Sequence, residues 1–188
     1  HGVLLAQDNF TVTDRLSFAV HKDALRGGFD KLLAALGLSL NDCDGLGIAF
    51  PCLVSADCKR VTRTFQKFED LVGFDIQRWS KESFGLECKI ENDARAALIG
   101  EWRYGAGKGM DNLFMLTLGT GCGTAVVLEG KPIHGFSGMA GNLGGHSITH
   151  RGGEKCWCGS RGCLEAQVAS WALEDIARKE PIFQDSAL

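Results

Sequence analysis

The chain is organised around residues 134–165, HGFSGMAGNLGGHSITHRGGEKCWCGSRGCLE. It contains His146, Cys156, Cys158 and Cys163 in the spacing H-x9-C-x-C-x4-C. Three thiolates and one imidazole form a typical tetrahedral zinc ligand set, and a site with no open position is usually structural. Glycines around the cysteines allow the chain to turn tightly about an ion. The spacing therefore predicts a loop that is folded around zinc.

Other interpretations of the cysteines fit less well. A redox pair has the spacing C-x-x-C, whereas this stretch has C-x-C. Ordinary buried cysteines would explain a single C-x-C, but not a third cysteine together with an upstream histidine. The cysteines elsewhere are scattered through apolar segments and predict reduced, buried side chains in a cytoplasmic protein. A secreted protein with disulfides is the alternative. These other cysteines are Cys43, Cys52, Cys58, Cys88 and Cys122.

Composition sets limits on the class of protein. The chain has 188 residues, of which 45% are hydrophobic, and this is enough for a real core. A net charge of -3 gives no electrostatic reason to expect nucleic acid or an anionic membrane as a partner of these residues. No apolar run approaches the roughly 18 residues that span a bilayer. We therefore expect a globular protein without membrane contact.

Hydrophobic periodicity predicts an alternation of strands and helices in the first half of the chain. One or two strands are expected within 1–20, with a turn near Asp8-Asn9. Gly37 and Gly85 are expected to end two helices, and Pro51 is expected to end a strand. A kink or a later start of the first helix is possible at its Gly-Gly pair. The predicted elements are a helix over 21–36, a strand over 46–50, a short helical turn near 68–72, a helix over 76–84, a strand over 86–90 and a helix over 94–104.

The second half begins after a glycine-rich passage near residue 105, which we interpret as a domain boundary. A strand over 113–118, a glycine turn over 119–123 and a strand over 124–128 predict a hairpin. A short strand near 132–133 follows. After the cysteines, the apolar spacing predicts one helix over 164–179.

Two segments have the composition of a reaction site. Asp93 ends a strand and precedes a helix, so its carboxylate could cap the helix or accept a proton from a substrate hydroxyl. The turn Gly119-Thr120-Gly121-Cys122-Gly123 could bring backbone N–H groups close to an anion. This turn matches neither the P-loop nor the Rossmann spacing. By spacing alone, both segments have simple structural explanations as a helix cap and a hairpin turn.

Three motifs in a fixed order resemble those of the ROK family, which groups bacterial sugar kinases, related repressors and uncharacterised proteins. They are IENDARAALIGEW at 90–102, LTLGTGCGTAVV at 116–127, and GMAGNLGGH followed by CWCGSRGCLEA between 138 and 166. The resemblance implies an α/β fold of the actin-like ATPase (ribonuclease H-like) type, with two lobes around a cleft. Residues 1–104 would form part of the small lobe, and residues 105–188 would form the start of the large lobe with the zinc motif.

The resemblance also implies a function. An ATP-dependent kinase of this family would phosphorylate a hexose, glucose or a related sugar, with Mg2+ and a structural Zn2+ as cofactors. Asp93 would be the general base, and Asn92 would hydrogen-bond the sugar. Asn142, His146 and Glu165 would line the sugar site, with His146 also a zinc ligand. The phosphates of ATP would be contacted by Gly119, Thr120, Gly121, Cys122 and Gly123. For Glu165, a solvated residue in the first turn of a helix is the alternative.

The chain departs from the family pattern in two places. Asn142 stands where the family has a glutamate, with one extra residue before His146, so a charge-assisted bond to the sugar is lost. The D-x-G-G-T phosphate hairpin of the family has no match, and the chain starts at His1. We interpret the chain as an internal piece or as a protein that lacks both ends.

These departures leave alternative functions. A sugar-sensing transcriptional regulator of the same family would bind sugar without phosphorylating it. The other alternative is a structural protein of the family that has lost its activity and is stabilised by zinc. For the kinase we expect hexose and ATP as partners, a homodimer and a cytoplasmic location.

Overall fold

The computed structural model describes residues 2–12, 17–65 and 67–179. Helices and strands alternate in the first half of the chain, and a hairpin with two terminal helices forms the second half. The helices are α1 (Lys22–Leu36), α2 (Ile76–Phe84), α3 (Asp93–Tyr104), α4 (Glu165–Val168) and α5 (Ser170–Lys179). The strands are β1 (Leu46–Phe50), β2 (Leu53–Val54), β3 (Val61–Arg63), β4 (Cys88–Asn92), β5 (Leu113–Leu118), β6 (Cys122–Leu128) and β7 (Lys131–Pro132).

The chain forms two compact units. The first comprises His1–Ala96 and His134–Met139, and the second comprises Ala97–Ile133 and Ala140–Leu188. The division falls inside α3, whereas the sequence places a boundary after Tyr104. The assignment of these units to the two lobes of a kinase stays a prediction.

A parallel strand pair and an aromatic core build the first unit. β1 pairs with β4 from Leu46 opposite Cys88 to Phe50 opposite Asn92. The Phe18 ring packs edge-on against Phe50 at 5.6 Å and against Trp79 at 5.2 Å between ring centroids. Offset and edge-on aromatic pairs add to the free energy that burial of the rings supplies. The core therefore fixes the strand pair, and Asp93 directly follows the last residue of β4.

An antiparallel sheet and α3 build the second unit. β6 lies between β5 and β7, and Leu118 is opposite Cys122 across the hairpin. Leu98 of α3 is buried against Ala125 and Val127 of β6. This packing holds the central part of β6, the strand that follows the glycine turn.

Most of the predicted elements are confirmed, within a residue or two at their ends. α1 is continuous from Lys22 through the Gly-Gly pair, and Gly37 ends it in the left-handed conformation. Gly85 ends α2 in the same way, and β1 ends before Pro51. The short helical turn is a 3-10 turn over Glu69–Leu71.

Three predictions are wrong. The described residues 2–12 and 17–20 contain no strand, and residues 1 and 13–16 of that predicted segment lie outside the described residues. The predicted helix over 164–179 is two helices, because Ala169 adopts an extended backbone with ψ of 153° between them. Asp93 is not the cap of α3, because the N–H of Arg95 donates to the side-chain oxygen of Asn92 at 3.1 Å. An acceptor three residues before the bonded N–H is the usual cap geometry, and Asn92 has that position.

Arg95 is a fully buried cation in the first turn of α3, with a side chain that is 0% exposed. Its Nη1 donates to Oε1 of Glu91 at 2.7 Å, and its Nη2 donates to the carbonyl of Gly138 at 3.0 Å. The guanidinium therefore joins β4 to the segment His134–Met139, which is distant in sequence. Removing one partner of a buried ion pair leaves an uncompensated charge, and this is strongly destabilising.

We predict that Arg95→Ala destabilises the protein by about 3–5 kcal/mol, because Glu91 is left without its buried cation. Arg78→Ala is the matched control. Arg78 and Glu82 are also four residues apart with an N–O distance of 2.7 Å, but their side chains are 73% and 62% exposed. Urea unfolding of both variants should show a large loss for Arg95→Ala and almost none for Arg78→Ala. Equal losses would contradict the role assigned to the buried pair.

Candidate functional site

Asp93 lies at the carboxyl end of β4, and its side chain is exposed. Its Oδ1 accepts hydrogen bonds from the N–H of Ala94 at 2.8 Å and from Nδ2 of Asn92 at 3.1 Å. Ligands of open α/β sheets bind outside the carboxyl ends of parallel strands, and this is the position of Asp93. Because Asn92 caps the helix, the Asp93 carboxylate is held in place without serving as the cap.

Asn92 connects Asp93 to the loop that follows β1. Its Nδ2 also donates to the carbonyl of Cys52 at 3.1 Å. Burial, with a smaller contribution from the Asp93 carboxylate, raises the pKa of the Cys52 thiol to about 12. The thiol is therefore protonated at neutral pH and is a poor nucleophile. Asn92 thus positions two backbone segments around Asp93, and its predicted contact with sugar stays a prediction.

The glycine turn between β5 and β6 is held from both sides. The carbonyl of Gly119 accepts hydrogen bonds from the N–H and the Oγ of Ser170, at 2.9 and 2.8 Å. The N–H of Cys122 donates to Oε2 of Glu165 at 2.9 Å. In the described part of the chain, the N–H groups of Thr120 and Gly121 donate to no protein acceptor. These two groups are the ones that the turn can offer to an anion.

The predicted zinc ligands lie together in the second unit. The ligand atoms of His146, Cys156, Cys158 and Cys163 are all within 4.8 Å of one another. Sγ of Cys156 is 3.7 Å from Nδ1 of His146, and Sγ of Cys158 is 3.6 Å from Sγ of Cys163. Ligands of a tetrahedral zinc ion are separated by about 3.3–3.8 Å, given the usual zinc–ligand distances. The donor set and its spacing therefore fit a single zinc ion.

The backbone of the cysteine loop is folded by its own hydrogen bonds. The N–H of Cys156 donates to the carbonyl of Ser160 at 2.8 Å, and that of Gly162 donates to Glu154 at 2.9 Å. Gly162 has a φ of 77°, and a Cβ there would overlap the carbonyl oxygen of His150. Burial raises the pKa of the Cys156 thiol to about 12. A bound cation would therefore be needed to hold that sulfur as a thiolate.

Glu165 lies between the glycine turn and the metal-ligand cluster. Its side chain is only 13% exposed, so the alternative of a solvated residue is wrong. One carboxylate oxygen accepts from the Cys122 N–H, and the other is 3.9 Å from Sγ of Cys156 and 4.0 Å from Nδ1 of His146. A displacement of either neighbour would therefore move this carboxylate.

The loop that carries Asn142 and His146 is fixed on β6. Nδ2 of Asn142 donates to the carbonyl of Thr124 at 2.8 Å. Oγ1 of Thr124 donates to the carbonyl of Gly141 at 2.7 Å and accepts from the N–H of Gly144 at 2.9 Å. The amide nitrogen of Asn142 thus points to the strand, and the role of this side chain in sugar binding stays a prediction.

Sequence reasoning missed two features of the first unit. Glu91 is a half-buried carboxylate that binds Arg95, and it also contacts Cys58 and His134. The spacing of four between Glu91 and Arg95 was the only local signal of the ion pair. The contact with Cys58 and His134 has no local signal, because only the fold brings those three segments together.

Comparison with known proteins identifies the class of this chain. It superposes on the crystal structure of a ROK family glucokinase from Streptomyces griseus in complex with glucose and AMPPNP, with a TM-score of 0.72 and 30% identity. The match covers 90% of this chain and 52% of that protein. The chain therefore has the α/β fold of the actin-like ATPase kinases, as a partial copy.

The sequence profile of the ROK family matches residues 4–185, and the chain belongs to this family. It is 34% identical to a glucokinase of Halalkalibacterium halodurans over 79% of its length. It is also 34% identical to a xylose repressor of Bacillus subtilis over 69% of its length. The chain spans 44% of that glucokinase and 33% of that repressor. The relatives thus include both sugar kinases and regulators. Among the described helices, none is long and apolar enough to cross a membrane.

We predict that Gly145→Ala disrupts the loop on β6. A Cβ at this position would overlap the carbonyl oxygen of Cys122, which belongs to the strand and cannot move away. We expect a loss of about 1–3 kcal/mol, as for other overpacked sites. Gly100→Ala is the control in the same unit, because a Cβ there meets no atom within 4 Å and Gly100 lies inside α3.

The control should raise the stability of the protein by up to about 1 kcal/mol, because alanine is the better helix former. Urea unfolding compares the two variants directly. An unchanged midpoint for Gly145→Ala would show that the loop is not packed on β6 as described.

Proposed function

We propose that the protein transfers the γ-phosphoryl group of ATP to a hydroxyl of a hexose, glucose or a related sugar. The observation that carries the proposal is the exposed carboxylate of Asp93, held at the carboxyl end of a parallel strand and relieved of the capping role by Asn92. Relatives named glucokinase support the substrate class. Assignment of the first unit to the small lobe and the second to the large lobe belongs to the same proposal.

In the proposed reaction, Asp93 accepts the proton of the sugar hydroxyl while that oxygen attacks the γ-phosphorus. The new O–P bond forms as the bond to the bridging oxygen of ATP breaks, and ADP leaves. Phosphoryl transfer depends mainly on positioning and on electrostatic stabilisation, so a fixed carboxylate is well suited to this step. The two hydrogen bonds to Oδ1 orient the carboxylate before the sugar arrives.

The glycine turn is the proposed contact for the phosphates of ATP. Thr120 and Gly121 supply the N–H groups, while Gly119 and Cys122 hold the shape of the turn through Ser170 and Glu165. Mg2+ would neutralise phosphate charge when ATP is bound. The side chain of Cys122 is buried, so its proposed contribution is to the backbone of the turn.

Zinc is the proposed structural ion of the Cys3His cluster. Ligation of His146 through Nδ1 directs its other ring nitrogen away from the metal, where it can meet a sugar hydroxyl. Glu165 and Asn142 would also line the sugar site, and we call His146, Glu165 and Asn142 together the sugar wall. The ion would supply rigidity to this wall and take no part in phosphoryl transfer. A homodimer and a cytoplasmic location complete the proposal.

Asp93→Asn should reduce hexose-dependent ADP release by about 10²–10⁴-fold, because the amide cannot accept the proton. The affinity for the sugar, measured by calorimetry, should change little. Asp44→Asn is the control, since Asp44 is also an exposed carboxylate of the first unit and lies before β1. The assay should survey a panel of hexoses with ATP, Mg2+ and zinc-loaded protein.

Two outcomes would count against this mechanism. Full turnover in Asp93→Asn would exclude Asp93 as the general base. Absence of turnover with every hexose in the folded, zinc-loaded protein would exclude the kinase activity itself.

Removal of zinc should abolish sugar binding by disordering the wall that carries His146 and Glu165. We expect calorimetry to detect no sugar binding after treatment with a chelator, and recovery when zinc is returned. Magnesium returned in place of zinc is the control. Sugar binding that survives chelation would show that the sugar site does not require the metal ion.

A sugar-sensing regulator is the second candidate. The observation in its favour is Asn142, which replaces the acidic residue of the kinase pattern and turns its amide nitrogen to the backbone of β6. Similarity to xylose repressors supports it as well. ADP release and sugar binding, measured over the panel of hexoses, distinguish the two candidates. A regulator would bind a sugar without releasing ADP.

A further inference from the structure

A second cluster of metal-ligand side chains lies in the first unit and shares no residue with the Cys3His cluster. It consists of Cys58, Glu91 and His134, whose ligand atoms all lie within 4.8 Å of one another. Sγ of Cys58 is 3.6 Å from Oε2 of Glu91 and 3.7 Å from Nε2 of His134. Nε2 of His134 is 2.7 Å from the same carboxylate oxygen. A thiol, a carboxylate and an imidazole therefore converge on one point.

The three segments that carry these side chains are fixed by other contacts. The carbonyl of Cys58 accepts from the N–H of Ile90 at 2.9 Å, which ties its turn to β4 beside Glu91. Cys58 itself has a φ of 59°, a conformation that costs energy for a residue other than glycine. Glu91 accepts from Arg95 and from the N–H of Asn92 through its other oxygen, Oε1.

The histidine segment is held in the same way. Arg95 donates to the carbonyl of Gly138, four residues after His134. Gly138 lies so close to Val54 that a Cβ would overlap the Val54 carbonyl oxygen. The cluster is thus assembled from β4, the β2–β3 turn and a distant segment, each of which also has contacts outside the cluster.

We propose that Cys58, Glu91 and His134 form a second metal site, which binds a divalent ion of the zinc type. The two distances to sulfur match the separation of about 3.6 Å expected between ligands of a tetrahedral zinc ion. The ion would replace the hydrogen bond between His134 and Glu91, and these two atoms would then move apart to about 3.3 Å. Binding would release the proton of the thiol and leave His134 neutral, with its remaining proton on Nδ1.

The donor set selects the kind of ion. Sulfur and imidazole nitrogen favour zinc and similar ions over Mg2+, which prefers oxygen ligands. This site would therefore not hold the magnesium of the proposed kinase reaction. Thiolate and carboxylate supply two negative charges to a divalent cation, and the carboxylate keeps its bond to Arg95 through the other oxygen. Three protein ligands leave one coordination position open for water or another small ligand, unlike the closed Cys3His cluster.

A hydrogen-bonded triad without metal is the simplest competing interpretation, and a reactive cysteine is another. Burial and the neighbouring Glu91 carboxylate raise the pKa of the Cys58 thiol. This opposes the formation of a free thiolate, so the reactive cysteine is disfavoured. The hydrogen-bonded triad is separated from the metal site by experiment.

The test is the zinc content of the purified, zinc-equilibrated protein, measured by elemental analysis after removal of loosely bound ions. We expect about two zinc ions per chain for the unsubstituted protein and about one for Cys58→Ser. Serine can still donate a hydrogen bond to Glu91, so a purely hydrogen-bonded triad would survive this change. His134→Asn should also reduce the content to about one ion, which keeps the test valid if one variant fails to fold.

Two controls locate the ion. Cys43→Ser should retain both ions, because Cys43 is a partly buried thiol of the same unit outside either cluster. Cys163→Ser should lose the ion of the Cys3His cluster and keep the other one. The proposal is overturned if the unsubstituted protein holds a single ion that Cys58→Ser and His134→Asn both retain. That outcome would leave the triad as a hydrogen-bonded structural element.

Discussion

His146, Cys156, Cys158 and Cys163 converge on one point, and the order of the loop between His146 and Glu165 rests on this convergence. Between His146 and Glu165 the chain forms no helix and no strand, only two isolated bridge pairs. Such a segment buries little apolar surface and cannot offset the entropy lost when it is ordered. The proposed zinc ion would provide this missing free energy, because it would bind a site that exists only in the folded state. The glycines permit the required turns, but they also raise the entropic cost of ordering the loop.

The side chain of Glu165 connects the metal-ligand loop to the glycine turn. Glu165 lies two residues after Cys163, the last cysteine, and its carboxylate accepts a hydrogen bond from the N–H of Cys122. The metal-ligand loop, the carboxylate and the proposed phosphate contact are therefore mechanically connected within one unit. In the first unit the corresponding role belongs to Glu91 and Arg95, which hold the strand end beside Asp93. In each unit, a largely buried carboxylate thus holds the backbone beside the proposed functional residues. These carboxylates are Glu91 and Glu165.

Local signals were sufficient for most of the fold. α2 was predictable because its apolar residues have helical spacing and Gly85 can adopt the left-handed conformation that ends it. The convergence of His146, Cys156, Cys158 and Cys163 was predictable because these residues lie close together in sequence. The cap of α3 was not, since Asn92 and Asp93 are both good capping residues and only the backbone geometry selects between them. The cluster of Cys58, Glu91 and His134 could not be found from sequence, because tertiary contacts alone bring these residues together.

If a metal ion in the Cys3His cluster fixes Glu165 and, through it, the glycine turn, its loss should release the N–H of Cys122. The most direct measurement is amide hydrogen exchange of Cys122, whose N–H donates to Glu165. After selective removal of the ion from this cluster, we expect exchange at Cys122 to accelerate strongly while the amides of β4 keep their protection, because β4 belongs to the other unit. Unchanged protection of Cys122 in the metal-free protein would contradict the claim. It would show that the turn and its carboxylate are ordered without the ion.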